Sequence, residues 1–508
     1  MSPNYWCRQS SHASVVLFPW PYYCNQHYDR QGKYTCTYHR ITAAKMNALE
    51  TIDQYLRQSQ PRQLELLNRL LRIPSISADP AFAEEVQRAA ELLADIFSEL
   101  RMQVELIPTD GPPLVYAETP PVEGKPVALV YGHYDVQPPD PLDQWLSPPF
   151  EPTERDGKLF ARGATDDKGQ LLTHLLSVAA WLHTVGSLPM QVKFLIEGEE
   201  EVGSQQLEAF LRRPEAVEKL RSDVVVISDS SQYGPGQPAI TYGLRGIAYF
   251  ELHASGPKHD LHSGSFGGTV ANPAVQLSRL LSQLIDQQGR IQLPGFYDNV
   301  RPLTDEERRS WAALKFDDAR FAEELGVPQL WGEQGYTTLE RRWARPTFDV
   351  HGLLSGYTGE GGKTIIPATA SAKLSFRLVP DQTPEMVAQQ LRQFLQENAP
   401  PGVRVRLAEL HGGMPVLVDP HSPFIAAAQQ AIEAAFGCPA VLIREGGSIP
   451  IVAELVQRLS ADVLLLGWGQ DDDGAHSPNE KINLEDFYRG TQASGYLWDA
   501  LARVDRAR

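Results

Sequence analysis

The sequence predicts an α/β protein: a doubly wound catalytic domain around a central mixed sheet, with a second, α+β domain inserted into it. Three observations carry this expectation. After Pro112–Pro113, short apolar runs closed by polar turns alternate with helical stretches, and the same pattern returns near the end. Residues 241–421 break that alternation with longer strands and two helices. The length, 508 residues, exceeds what one simple core usually supports.

In chain order, residues 1–45 stand apart. They hold nine aromatic residues, three cysteines (Cys7, Cys24, Cys36), three histidines and one acid, Asp29. From Met46 the chain turns amphipathic and acidic, so Met46 is expected to be the natural start, with 1–45 an atypical extension from an upstream start codon. A disordered extension or a small Cys/His metal-binding tail are the alternatives. Helical periodicity runs through 47–101, with Leu64, Leu66, Leu67, Leu70 and Leu71 on one face and Ala89, Ala90, Leu92, Leu93, Ile96 and Phe97 on another. The apolar runs Val127–Tyr131, Val192–Ile196, Val224–Ile227 and Val463–Leu466 read as strands, and Gln170–Thr184 and Leu484–Arg503 as helices between or after them. The catalytic domain is thus expected over 46–240 and 422–508. Within 241–421, Ile247–Ala254, Ala370–Leu378 and Val403–Leu410 read as strands, and Ala271–Gln287 and Pro384–Asn398 as helices. Leu293–Pro346, rich in proline and charge, gives no clear pattern.

Composition narrows the function. Asp plus Glu outnumber Lys plus Arg by 63 to 46, a formal charge of −17 that repels phosphate backbones and anionic lipid. Nucleic acid and membrane surfaces are therefore not expected partners. Of four cysteines only Cys438 lies in the main body, so no disulfide framework is expected and a reducing, cytoplasmic compartment fits. No apolar stretch reaches the ~18–20 residues that span a bilayer. Ser14–Tyr23 is briefly apolar, but Pro19 and Pro21 interrupt it.

Chemistry concentrates in polar segments beside the strand ends, where open α/β sheets bind ligands. Tyr131-Gly-His133-Tyr-Asp135 pairs an imidazole with a carboxylate two residues on, able to fix its tautomer if the segment is extended. Gly163-Ala-Thr-Asp166-Asp167 precedes a helix, and Glu197-Gly-Glu-Glu200-Glu201 crowds four carboxylates after a strand. Asp229 follows Val224–Ser228, and His476 lies in the acidic loop Gly469–Ser477. Taken singly, each has a plain structural reading: a hydrogen-bonded pair, an N-cap, a solvated turn, a surface loop. Together they supply three carboxylates and two imidazoles, the donors two zinc-like ions require. Asp166, Glu201 and Asp229 set −3 against +4, leaving one charge for a bridging hydroxide.

The motifs YGHYDVQP, ARGATDDKGQ, EGEEEVGS, REGGSIP and DDDGAHSPNEK, spread over residues 60–505, make the chain resemble the aminoacylase and carboxypeptidase-G family of dinuclear zinc hydrolases. Ile240-Thr-Tyr-Gly-Leu-Arg-Gly-Ile and Asp260-Leu-His262-Ser-Gly are similar to its cytosolic nonspecific (carnosinase-like) dipeptidase branch. The resemblance implies two divalent ions per subunit, Zn²⁺ or else Mn²⁺, with His133 and Asp229 on one, His476 and Glu201 on the other, and Asp166 bridging. It implies Asp135 as the orienter of His133, Glu200 as general base and a metal-bridging hydroxide as nucleophile. It makes 241–421 a lid and dimerisation domain whose His262 enters the partner's site in a homodimer. Arg377, His411 and Ser448 match positions that hold the substrate carboxylate. The implied activity is cleavage of dipeptides with a free C-terminal carboxylate. An N-acyl amino acid or succinyl-diaminopimelate deacylase on the same centre is the second reading, and an inactive scaffold of the same fold the third. Gly359-Glu-Gly-Gly-Lys363-Thr364 mimics a P-loop, but Tyr357 occupies the first glycine position and Pro367 opposes the following helix.

Overall fold

Strands buried on both faces need near-continuous apolar runs, and the chain supplies them in its parallel strands. The computed structural model describes residues 24–28, 34–38 and 47–505. The reading of residues 1–45 as an extension from an upstream start falls largely outside the described residues; Cys24–Tyr28 and Tyr34–Tyr38 pair there as an antiparallel hairpin.

The main sheet has nine strands: β1 (Gln103–Ile107), β2 (Leu114–Glu118), β3 (Val127–His133), β4 (Gln191–Glu197), β5 (Val224–Ile227), β6 (Ala239–Leu244) and, after the four strands of a second sheet, β11 (Val416–Leu417), β12 (Val441–Glu445) and β13 (Asp462–Gly467). Their order is β11-β6-β13-β5-β3-β4-β2-β1, with β12 also paired to β6. The centre β4-β3-β5-β13 is parallel throughout, while β1, β2, β6 and β11 add antiparallel pairings. The sheet is mixed, as expected. All of Val224–Ile227 is buried. The helix Lys168–Thr184 is buried along most of its length. It is tied to the C-terminal helix Leu484–Leu501 by Trp181 Nε1 donating to Gly495 O at 2.9 Å and Trp498 Nε1 to Ser177 Oγ at 2.8 Å. The helical stretch expected over 47–101 is present but broken into Ala48–Gln58, Gln60–Leu71 and Ala83–Glu99, with prolines at the breaks.

Between β6 and β11 a second sheet forms from β7 (Gly246–Ser255), β8 (Thr347–Ser355), β9 (Thr369–Leu378) and β10 (Arg404–Gly413), all antiparallel in the order β8-β9-β7-β10. Strict alternation along β7 buries Ala248, Phe250, Leu252 and Ala254 against Leu277, Leu280, Val387 and Leu391 of the helices Pro273–Gln283 and Pro384–Glu397. The opposite face keeps Ile247, Tyr249 and Glu251 of β7 beside Arg377, Ser375 and Lys373 of β9.

Leu293–Pro346, unreadable by periodicity, contains the short helices Asp305–Ala313, Asp318–Leu325 and Thr338–Ala344. Two open with reciprocal capping boxes, Thr304 with Glu307 and Thr337 with Glu340. Buried Glu333 grips Arg345 through two bonds of 2.6 and 2.9 Å and Arg290 through one of 2.9 Å, which anchors the segment together with the buried pair Trp311 and Trp343. Gly359–Thr364 is exposed and leads into the two-residue strand Ile365–Ile366, not a helix, so no P-loop forms.

Candidate metal centre

The parallel strands place their carboxyl ends side by side, and the predicted residues gather there. His133 ends β3, Asp229 follows β5, Glu200 and Glu201 occupy a 3-10 turn after β4, and His476 lies in the loop after β13. Asp166 precedes the helix Lys168–Thr184; the Asp166–Asp167 peptide is cis. Two groups result, His133 with Asp166 and Asp229, and Asp166 with Glu201 and His476. In each, the potential ligand atoms lie within 4.8 Å of one another, and Asp166 belongs to both.

Buried His133 has its Nδ1 3.3 Å from Asp135 Oδ1, and its Nε2 lies 3.2 Å from Asp166 Oδ1 without a hydrogen-bond partner. The tautomer that donates Nδ1–H to Asp135 leaves an Nε2 lone pair facing Asp166, which is how a cation is held. His476 Nε2 lies 2.9 Å from Asp166 Oδ2 and 3.2 Å from Glu201 Oε2. Electrostatics tell the same story. Burial, and then Asp166, push the Asp229 carboxyl well above its ordinary pKa. Burial, with Glu201, Asp166 and Asp135 adding to it and His133 opposing, takes Glu200 to about 7. Asp166 and Glu201 raise His476 to about 10. Crowded, desolvated carboxylates around an orphaned imidazole nitrogen form a donor set that fits divalent cations.

Asp135 does more than face His133. Its Oδ1 accepts from Glu200 N at 3.2 Å, and its Oδ2 from Glu201 N at 3.1 Å and Ser77 Oγ at 2.6 Å. Asp135 therefore faces the imidazole with its main-chain O, 3.2 Å from Nδ1, and fixes the turn bearing the adjacent glutamates with its carboxylate.

Several residues that the sequence did not single out complete the support. Glu480 accepts from Gly163 N (2.9 Å), Thr165 N (3.0 Å), Asp166 N (3.1 Å) and Arg162 Nη1 (2.7 Å), and so moulds the Asp166 loop. Asp473 accepts from Thr165 Oγ1 at 3.0 Å and Lys481 Nζ at 2.6 Å, joining the His476 loop to the same place. Gln137 Nε2 donates to Glu201 Oε2 at 2.9 Å, and Asp167 Oδ2 accepts from His133 N at 3.3 Å. Gly132 permits that approach, since a Cβ there would meet Asp167 Oδ2 at 2.7 Å. Glu480, Asp473 and Gln137 all lie inside the noted motifs, but which backbone N–H each meets is a tertiary fact.

The remaining candidates sit on the second sheet and its junction. Arg377 Nη1 donates to Ser448 Oγ at 3.0 Å. His411 stacks on Tyr249 at 4.8 Å between ring centres; burial, then the Arg377 charge, lower its pKa. These three are brought together. His262 is not brought to the ligands: it is exposed at the start of Ser263–Phe266, its Nδ1 accepting from Gly264 N and Ser265 N.

The sequence profile described as peptidase family M20/M25/M40 matches residues 129–499. The Cys-Gly metallodipeptidase dug1 of Schizosaccharomyces pombe is 33% identical over 457 residues, covering 87% of this chain and 96% of that protein. The Beta-Ala-His dipeptidase of Homo sapiens is 34% identical over 472 residues, covering 90% and 93%. The crystal structure of human carnosine dipeptidase 1 superposes with a TM-score of 0.78 at 33% identity, covering 90% of this chain and 100% of that one.

Proposed function

The chain belongs to peptidase family M20/M25/M40, and on that footing we propose that it hydrolyses dipeptides bearing a free C-terminal carboxylate, with two divalent ions per subunit. It is a metal-dependent hydrolase of peptide bonds. The observation that carries the finer reading is the sharing of Asp166 between two donor groups, with Glu200 adjacent to both. In this reading His133 and Asp229 would hold one ion and His476 and Glu201 the other, with Asp166 common to both donor groups; Zn²⁺ is the expected metal and Mn²⁺ the substitute. Such ions supply Lewis-acid polarisation of the scissile carbonyl and activation of water. Glu200 takes the proton from the attacking water and delivers it to the leaving amine, while Asp135 keeps His133 oriented. Arg377, His411 and Ser448 bind the substrate carboxylate, for which a guanidinium offers two parallel N–H donors.

Residues 241–421 act in this proposal as lid and dimerisation domain of a cytoplasmic homodimer. His262 completes the partner's site by stabilising the developing oxyanion. Its exposure and its absence from both of this chain's own donor groups support that assignment. No helix among the described residues is long and apolar enough to cross a membrane.

The decisive assay sets dipeptides beside N-acyl amino acids, with metal analysis of the purified protein. Dipeptide turnover that chelation abolishes is the expected result. Turnover confined to N-acyl amino acids replaces this reading with a deacylase, and neither bound metal nor cation-rescued activity replaces it with a scaffold. For the dimer, His262→Ala should be inactive alone and regain activity when mixed with a Glu200→Gln protein. No recovery in proven mixed dimers refutes action across the interface.

A further inference from the structure

Arg245 stands where the chain leaves the main sheet, after β6, and enters the second sheet at β7. Its main chain and side chain together enclose the turn Gly446–Ser448, which links β12 to the helix Pro450–Leu459. Its backbone N donates to Glu445 O at 3.3 Å, and its backbone O accepts from Ser448 Oγ at 2.5 Å. The guanidinium Nε donates to Gly446 O at 3.1 Å. Nη1 reaches the start of β8, at Arg345 O (3.3 Å) and Thr347 Oγ1 (3.4 Å). One side chain thus spans the turn, the junction and the edge of the second sheet. The packing is close: a Cβ on Gly446 would lie 2.7 Å from Arg245 Nη2 and 2.8 Å from Arg342 O.

The Ser448 hydroxyl held this way donates to Arg245 O and accepts from Arg377 Nη1. Its proton is committed to Arg245, so its lone pair is free to receive the Arg377 donor. The cations also crowd. Burial, then the charges of Arg377 and Arg342, lower the Arg245 pKa to about 10, with Asp349 opposing. Arg245 remains charged at neutral pH, in a low-dielectric place where an added anion gains more than it would in water.

We propose that Arg245 is the positioning residue of the carboxylate subsite: its guanidinium clamps the Gly446–Ser448 turn at Gly446 O, so that Ser448 stays in place to meet Arg377, and its charge makes the site select substrates with a free carboxylate. The proposal rests on the dipeptidase reading above. It adds a residue and a source of specificity that the reading lacks. An Arg whose only task was to hold the junction together would affect every substrate alike. One that shapes an anion site acts on the carboxylate alone.

The test compares a dipeptide with the same dipeptide amidated at its C-terminus, on wild type, Arg245→Lys and Arg245→Gln, with metal content and Tm recorded. Wild type should favour the free carboxylate. Arg245→Gln should raise KM for the dipeptide by about 10–100-fold, the loss expected for a charge-assisted contact, and leave kcat/KM for the amide within about twofold. Arg245→Lys keeps the charge but not the planar fork and should fall between, with metal content unchanged throughout. Equal losses on both peptides, or no change in KM, overturn the proposal. If Arg245→Gln does not fold, Arg245→Lys decides by the same ratio, and failure of both to fold makes the residue structural and rejects the proposal. A wild type that cleaves neither peptide refutes the dipeptidase reading instead.

Discussion

The end of the main sheet that gathers the candidate ligands and the junction beside the second sheet are built with opposite charges on opposite backbone groups. At the ligand end, buried carboxylates grip N–H groups: Asp135 holds Glu200 N and Glu201 N, Asp167 holds His133 N, and Glu480 holds Gly163 N, Thr165 N and Asp166 N. At the junction a guanidinium grips carbonyls, Gly446 O and Arg345 O. The difference teaches how one acidic chain keeps regions of opposite potential apart. Loops fastened by acids accumulate negative charge, and loops fastened by arginine accumulate positive charge. Rigidity comes from the same groups that set the potential.

The largest expected effect tests the division of labour between adjacent acids. Glu200→Gln should keep metal and substrate affinity while kcat drops by about 10²–10⁴, the usual cost of losing a general base. Loss of metal on inductively coupled plasma analysis would instead make Glu200 a ligand and reverse its role with Glu201. Next comes the support itself. Glu480→Gln removes the charged acceptor of four donors and should weaken metal affinity about 10–100-fold, read by competition with a chromophoric chelator, with activity recovering at saturating metal. Unchanged affinity would show that carboxylate support is incidental to the ligand loops.

The smallest effect concerns a neutral pin in the same half. His174 hydrogen-bonds Ser228 Oγ at 2.8 Å and Ser494 Oγ at 3.1 Å, and burial lowers its pKa to about 3. The folded state refuses a proton that the unfolded chain accepts below about 6.5. Its stabilising share is therefore complete above that pH and drains as pH falls towards 3, with a limiting slope of about 1.4 kcal/mol per pH unit. His174→Gln should flatten the acid limb of a denaturant-midpoint-versus-pH curve relative to wild type. Parallel curves would mean that His174 is not held neutral.

Legibility in the sequence followed the range of the interactions. The parallel strands were readable because burial on both faces demands uninterrupted apolar runs; Val224–Ile227 is expected and observed with the same ends. The ligand candidates were readable because polar clusters at such strand ends are unusual, and the structure brings His133, Asp166, Asp229, Glu201 and His476 into two joined groups. Leu293–Pro346 was not, because its helices are short and held by ion pairs such as Glu333–Arg345, which leave no periodic trace. The capping pattern Thr304-Asp-Glu-Glu307 was the available signal, and it was local. Glu480 and Arg245 show the other limit. Both lie in motifs, yet their partners sit hundreds of residues away in sequence.

The position of β13 carries a further consequence, for biosynthesis. It is wedged between β5 and β6, although β6 follows β5 almost at once in sequence and β13 begins only at Asp462. A chain emerging from the ribosome can complete the second sheet and its helices while the main sheet still has a gap at its centre. Two strand edges stay unpaired across that gap until Asp462–Gly467 is made, more than two hundred residues after β6, and unpaired edges are where nascent proteins aggregate. The same late strand leads into the loop carrying His476, so closing the sheet and delivering the last candidate ligand are one event.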